Sequence, residues 1–377
     1  MMQKKFKQIF TKRKPREIAR ELFVIVQESL QEKYGANPDE RISNRVEEEW
    51  DAIERQGMVA DVAALYEIVS WLKENKYPYC MQSCAGSSFI LYLLGITFGN
   101  PLPAHTLCPK CQSVTWYDGY ADGFDISNEY VCEKDNTTVI PDGHNIPWQP
   151  LFGYGELSHV LNIYLPRNSY NYLQEVLASH WLATIDEDFP LTCYTQDEST
   201  NRNCIDVSNL TLTFVLNQEE ISPLFYERNV SAYDCEAIVE NWKEYVNLHT
   251  NDKSDLEICH EPDTVADVIA LTGLLNSGGA WDDVTKIMVR EMGYSYSDLI
   301  CFRDDVFTYL LEHDFLKTDA WRGMESVRKG RNLPFFTDSL LTSRDKWVFS
   351  RIQQIKYLFP KAHSVENLIF RLKSFKD

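Results

Sequence analysis

Nowhere does the chain hold an apolar run of the ~20 residues needed to cross a bilayer as a helix, so no membrane partner is expected. The basic opening stretch MMQKKFKQIFTKRKPR lacks the apolar centre of a secretory signal, and a cytoplasmic location is expected. Positive charge is scarce: 37 Lys and Arg stand against 56 Asp and Glu, a formal net charge of -19. Phosphate contacts dominate nucleic-acid affinity, so this balance excludes strong nonspecific DNA binding and leaves room only for a local basic patch. An acidic surface suits solubility, a basic protein partner or a DNA mimic. A secreted disulfide framework is missing as well. The ten cysteines contain one Cys-x-x-Cys pair and are otherwise scattered, as in reduced proteins where Cys behaves as a small buried apolar residue. There is no internal repeat and no low-complexity tract.

What is present reads as a folded chain. The 377 residues, 44% hydrophobic and 13% aromatic, suffice for one large or two ordinary domains. Residues 1–15 form a basic tail. Helical periodicity follows from Pro15 to Tyr34 and from Ile42 to Asn75, where Val62, Leu65, Tyr66, Val69 and Leu72 fall on one stripe. An apolar stretch from Ser87 to Ile96 predicts a helix after the Gly86-Ser87-Ser88 turn. From Gly99 to Pro150 the composition shifts to Gly, Pro, Asp, Asn and Cys, which predicts irregular structure held by a metal rather than an apolar core. Val160 to Leu165 predicts a strand with Leu161, Ile163 and Leu165 on one side and Val160, Asn162 and Tyr164 on the other. A helix is expected over 170–184, a second strand from Leu210 to Leu216, and a helix from Asp234 to Leu248. Beyond Thr264 the pattern is mostly helical, with breaks expected at Gly273, Gly278-Gly279, Gly293, Gly330 and Pro334.

The most specific motif block begins at Tyr77. It runs YPYCMQSCAGSSFILYLLGITFGNPLPAHTLCPKCQ, then DGYADGFDISNEYVCEKD, then PDGHNIPWQPLFGYG. Farther on stand Ile300-Cys301-Phe302-Arg303-Asp304-Asp305, Met324-Glu325-Ser326-Val327-Arg328-Lys329-Gly330 and Ile355-Lys356-Tyr357-Leu358-Phe359-Pro360-Lys361-Ala362-His363. Together these resemble the palm and fingers of PolC-type DNA polymerase III alpha subunits, the family C bacterial replicases. The resemblance implies an α/β (α+β) fold: a polymerase beta-like nucleotidyltransferase palm with a zinc-knuckle excursion and a helical remnant of the fingers. The implied boundaries are amino-terminal helices and the start of the palm over 16–98, a zinc-knuckle-like segment over 99–150, the palm core over 151–263 and partial fingers over 264–377. The family's Gln-His-Pro-Gly-Gly loop is absent; the polar stretch from Thr192 to Ser208 stands in its place.

The departures carry the functional argument. In the family a strand reading Pro-Asp-Ile-Asp-Leu-Asn-Phe holds the catalytic magnesium ions, and a third acid follows. The matching positions here are Val160, Asn162 and Glu257. Val160 ligates nothing, Asn162 offers one neutral oxygen, and one remaining carboxylate cannot hold two divalent ions. Glu156 or the run Asp186-Glu187-Asp188 are the candidates for relocated acids; such a run more often marks a solvated loop. The family's Gly-Ser-Arg-Gly-Ser phosphate cradle is replaced by Cys80-Met81-Gln82-Ser83-Cys84, leaving Ser87 and Ser88 either to cap a helix or to hold a small anion. The second knuckle is Cys132-Glu133-Lys134-Asp135. The implied zinc ligands are therefore Cys108, Cys111, Cys132 and Asp135, with His105 or His144 as substitutes for the fourth. Arg303, Arg328, Lys329, Lys361 and His363 sit in the stretches that line the nucleotide and template side in the family. The expectation is a pseudo-polymerase without bound magnesium, acting as a regulatory or decoy module on replisome proteins or a host PolC, as in a phage or mobile element. Two readings stay open beside it: a minimal active polymerase with relocated carboxylates, and a nucleic-acid-binding module using the fingers.

Overall fold

A computed structural model describes residues 15–154, 159–166, 191–197, 202–207, 210–217, 225–227, 235–246, 256, 259–331 and 351–374. Three helices open it: α1 (Pro15–Tyr34), α2 (Glu40–Arg55) and α3 (Val59–Glu74). In α1, Ile18, Leu22, Val26 and Leu30 recur every four residues and are all buried. Asp39 caps α2 by accepting the Arg41 amide. α3 is buried almost all round, so its apolar residues do not confine themselves to one stripe.

A short strand β1 (Cys80–Gln82) and a single helical turn (Ala85–Ser87) lead into α4 (Phe89–Leu93). The expected helix over Ser87 to Ile96 is thus only its central part. Ser88 caps it, and Gly95, at φ +65°, ends it in a left-handed conformation that costs glycine little. The segment beyond builds a small antiparallel sheet in the order β3-β2-β4, from β2 (His105–Leu107), β3 (Val114–Trp116) and β4 (Ile140–Asp142). It is less irregular than its composition suggests. Leu102, Leu107, Phe124, Ile146 and Trp148 are buried and join the apolar clusters on either side. The helical turn α5 (Gln149–Phe152) closes it.

The larger sheet holds β5 (His159–Pro166), β6 (Leu191–Asp197), β7 (Arg202–Val207) and β8 (Leu210–Asn217) together with β1, in the order β1-β5-β8-β7-β6. β5 and β8 run parallel, in register from His159↔Leu210 to Pro166↔Asn217; the other pairs are antiparallel. Alternation along β5 follows the sequence: Leu161 and Ile163 are buried, Asn162 and Tyr164 half-buried. The polar stretch from Thr192 onward, which carries no clear strand pattern, forms the paired strands β6 and β7. The helix expected over 170–184 lies outside the described residues, as does Pro334.

The predicted helix from Asp234 divides at Asn241 into α6 (Cys235–Glu240) and α7 (Trp242–Tyr245). The carboxyl-terminal part is helical: α8 (Val265–Asn276), α9 (Asp283–Met292), α10 (Arg303–Glu312), α11 (Lys317–Arg328) and α12 (Lys361–Ser374). Gly273 does not break this region; it lies inside α8, where a Cβ would stand 2.2 Å from Phe302 Cε1. Its small size, not its flexibility, is what the packing uses. Gly293 does end α9, at φ 72°. Two apolar cores result, one around α1–α5 and β5, the other around α8–α12. α12 ties them together: Gln82 Nε2 donates to Asn367 Oδ1 at 3.1 Å, and the amides of Phe98 and Gly99 donate to the Glu366 carboxylate at 2.9 and 2.7 Å.

Candidate functional site

Around Asn162 the sheet register puts neutral residues side by side. Its neighbours are Gln82 on β1 and Thr213 on β8; Val160 pairs with Thr211. The register sets Asp206 of β7 in the row of Val160, with Thr211 between them. Two strand spacings separate those backbone positions by roughly 10 Å. Glu257, Glu156 and residues 186–188 lie outside the described residues.

The N-terminus of α4, where the resemblance placed a phosphate cradle, holds an anion of the chain's own. Glu49, fully buried on α2, accepts from the Phe89 amide at 3.0 Å, the Ile90 amide at 3.1 Å and the Ser88 hydroxyl at 2.7 Å. Arg45, one turn earlier, donates to the same carboxylate and to the carbonyls of Ser87 and Ile146 at 2.8 and 3.0 Å. Ser87 donates to the Cys84 carbonyl at 2.6 Å, and both serines are fully buried. Ser88 caps α4, accepting from the Leu91 amide at 3.1 Å, whereas Ser87 is tied to the preceding turn and caps nothing. Glu49 went unnoticed in the sequence because it lies 39 residues upstream of Ser88, on another helix.

The basic residues of the carboxyl-terminal part face internal acids. Arg328 grips Glu325 with two nitrogens, at 2.9 and 2.7 Å. Lys329 lies 3.7 Å and the buried Arg303 3.9 Å from the same carboxylate. Burial pushes the Glu325 carboxyl up, but the Arg328 hydrogen bonds and the surrounding cations outweigh it and hold it below its ordinary range. Lys361 donates its amide to Asp304 at 2.9 Å and its ammonium to the Ala121 carbonyl at 3.4 Å. His363 is buried and stacks on Phe359, with centroids 4.6 Å apart. The predicted residues thus share a region, but Arg303, Arg328 and Lys329 converge on Glu325 rather than on an open groove.

The geometry is most complete at the cysteine turns. Cys108, Cys111, Cys132 and Asp135 place one donor atom each within 4.8 Å of all the others. Cys111 Sγ lies 3.6 Å from Cys132 Sγ, and Cys108 Sγ 3.5 Å from Asp135 Oδ2. The two turns are built alike. In the first, the Cys108 amide donates to the Ser113 carbonyl at 2.9 Å, and Gln112 has φ 59°. In the second, the Cys132 amide donates to the Thr137 carbonyl at 2.8 Å, and Asn136 has φ 56°. Each left-handed residue follows the second ligand and bends the chain back on itself. The Asp135 carboxyl sits below its ordinary range, held first by the Thr137 hydroxyl. Three sulfurs and a carboxylate so disposed can hold a divalent metal ion. His105 and His144 are not part of this group. His105 Nδ1 pairs with the Pro103 carbonyl at 2.7 Å and His144 Nδ1 with Asp122 at 2.8 Å. Both are buried within the small sheet's own packing, so neither replaces Asp135.

Residues 20–142, which carry these turns and the α4 cap, match the family described as the bacterial DNA polymerase III alpha NTPase domain. The chain is related to the PolC-type polymerases. It is 22% identical to the DNA polymerase III PolC-type of Ureaplasma parvum over 88% of its own length and 30% of that protein. Against the Clostridium perfringens PolC-type protein the identity is 20%, over 90% and 30% of the two chains. Against that of Thermotoga maritima it is 22%, over 92% and 33%. This PolC-like chain therefore spans about a third of the length of the relatives it matches.

Proposed function

We propose that this PolC-like chain is a pseudo-polymerase: a palm and partial fingers that no longer transfer nucleotides and serve DNA replication as a binding or regulatory module. The observation that carries this reading is the strand at Val160 and Asn162, where two-metal catalysis needs clustered carboxylates and the register supplies Gln82, Thr211 and Thr213. The α4 N-terminus supports it independently, because Glu49 takes up the amides that would face a phosphate. The partners it would engage are replisome proteins, with a resident PolC-type polymerase, its clamp or its loader foremost.

Zinc fits the cysteine turns. A tetrahedral ion with Zn–S bonds of about 2.3 Å sets its ligand atoms roughly 3.8 Å apart, close to the 3.6 and 3.5 Å separations between donors. When bound, the ion would fasten the two turns to each other in a segment whose local cluster is only Cys108, Cys132 and Val139. The role of Cys108, Cys111, Cys132 and Asp135 is thus structural.

The test is a direct binding measurement with the purified full chain. Saturable binding to a PolC-type polymerase, clamp or loader, with weak and shallow salt-dependent binding to primer-template DNA, is the expected result. Tight DNA binding that falls steeply with salt, and no protein binding, would move the function to a nucleic-acid-binding module.

A further inference from the structure

A groove of about 510 Å³ lies between β3 and the two arms of the second cysteine turn. The arms are joined by the bridge Val131↔Thr138 and by the Val139 amide, which donates to the Tyr130 carbonyl at 3.0 Å. Val114, Val131 and Val139 give the groove its apolar part. Tyr117 and Tyr130 line it as a pair, their rings 4° from parallel and their centroids 6.1 Å apart. Tyr120 stands perpendicular to Tyr117, with centroids 5.8 Å apart.

The fold leaves much of this surface uncovered. Tyr120, Tyr130 and Val131 are 37%, 44% and 50% exposed. Grouped exposed aromatics mark contact surfaces rather than cores, and tyrosine is enriched where proteins meet. The rim is acidic. Glu129 and Glu133 line the groove, are exposed, and form no ion pair among the described residues; Lys134 is the one cation among the lining residues. An aromatic face beside carboxylates recognises a guanidinium, through stacking and N–H donation together. The adjoining residues already show that chemistry within the chain. The Arg41 guanidinium lies 5.2 Å from the Trp116 ring centroid, and its Nη1 donates to Asp118 at 3.0 Å.

We propose that this groove docks an arginine-bearing segment of a basic protein partner, a guanidinium stacking on the Tyr117 and Tyr130 pair and pairing with Glu129 or Glu133. The inference rests on the reading of the chain as a binding module and says what chemistry its partner carries. A net charge of -19 favours a basic partner. The glutamates repel the phosphates of a nucleic acid, whose bases would otherwise stack on the tyrosines. A lysine keeps the charge but loses the planar stacking.

The experiment is fluorescence anisotropy of the full chain with a labelled Arg-Gly repeat peptide, a Lys-Gly repeat of the same length and, separately, oligothymidylate. Saturable binding of the Arg-Gly peptide, about fivefold tighter than the Lys-Gly peptide and tighter than oligothymidylate, is expected. Tyr130→Ala should weaken the Arg-Gly peptide about fivefold at unchanged net charge, which separates the groove from general attraction to an acidic chain. Glu129→Gln should act in the same direction. Equal affinities for the two peptides, an unchanged affinity in Tyr130→Ala, or tighter binding of oligothymidylate would overturn the proposal. The comparison of peptides on the unaltered chain decides this even if a variant fails to fold. Binding of a PolC-type polymerase, clamp or loader is read separately, so failure of the groove alone leaves the binding-module reading standing.

Discussion

Glu49 shows how one buried residue can hold a helix end, a hydroxyl and a cation together. Its buried carboxylate satisfies two amides, a hydroxyl and Arg45. Glu49→Ala would take the carboxylate from Arg45 and leave the α4 amides without their acceptor in the interior, at a cost of roughly 3–5 kcal/mol; urea denaturation should show it, and Glu49→Gln should cost less. Glu366 gives a second residue-scale prediction. Burial pushes its carboxyl from 4.5 up to about 7, against the hydrogen bonds from Gly99 and Phe98. Between those pH values the folded chain keeps a proton that the unfolded chain releases. Stability from this group is therefore complete below pH 4.5 and is lost as pH rises through about 7, by roughly 3 kcal/mol. Denaturation midpoints across that window should fall less steeply in Glu366→Gln than in the parent. A profile unchanged by the substitution would contradict this. The helix start at Ser88 was legible in the sequence. Its pairing with Glu49 was not, because linear sequence does not report which distant carboxylate reaches a helix end.

Among elements, the paired turns around Cys108 and Cys132 were the most legible, since ligand spacing and turn geometry are both local. Metal analysis should find about one zinc per chain. Cys132→Ser should lower that content, and a chelator should reduce the thermal midpoint; a metal-free chain of unchanged stability would argue against a structural ion. β5 was legible because Leu161 and Ile163 alternate with Asn162 and Tyr164 across a half-buried strand. The hairpin of β6 and β7 was not, because its polar residues carry no apolar alternation and the pairing comes from β8. Gly273 was misread as a break for a similar reason. The sequence shows a glycine, and only packing shows the Phe302 ring against α8. Gly273→Ala should destabilise the protein by roughly 1–3 kcal/mol through overpacking, measurable by thermal unfolding.

For the whole molecule, charge and architecture point the same way. A net charge of -19 leaves little long-range attraction for DNA, and Arg303, Arg328 and Lys329 meet at Glu325. No helix among the described residues is long and apolar enough to cross a membrane. The mixed α/β architecture and the relation to PolC-type polymerases both followed from motif order. The proposed loss of chemistry rests instead on single positions, Val160 and Asn162, with Glu257 as the remaining acid. The most direct test is primer extension by the purified chain with all four deoxynucleotides, in magnesium and in manganese. The account predicts no incorporation with either metal. Template-directed extension that disappears in Glu257→Ala would contradict it.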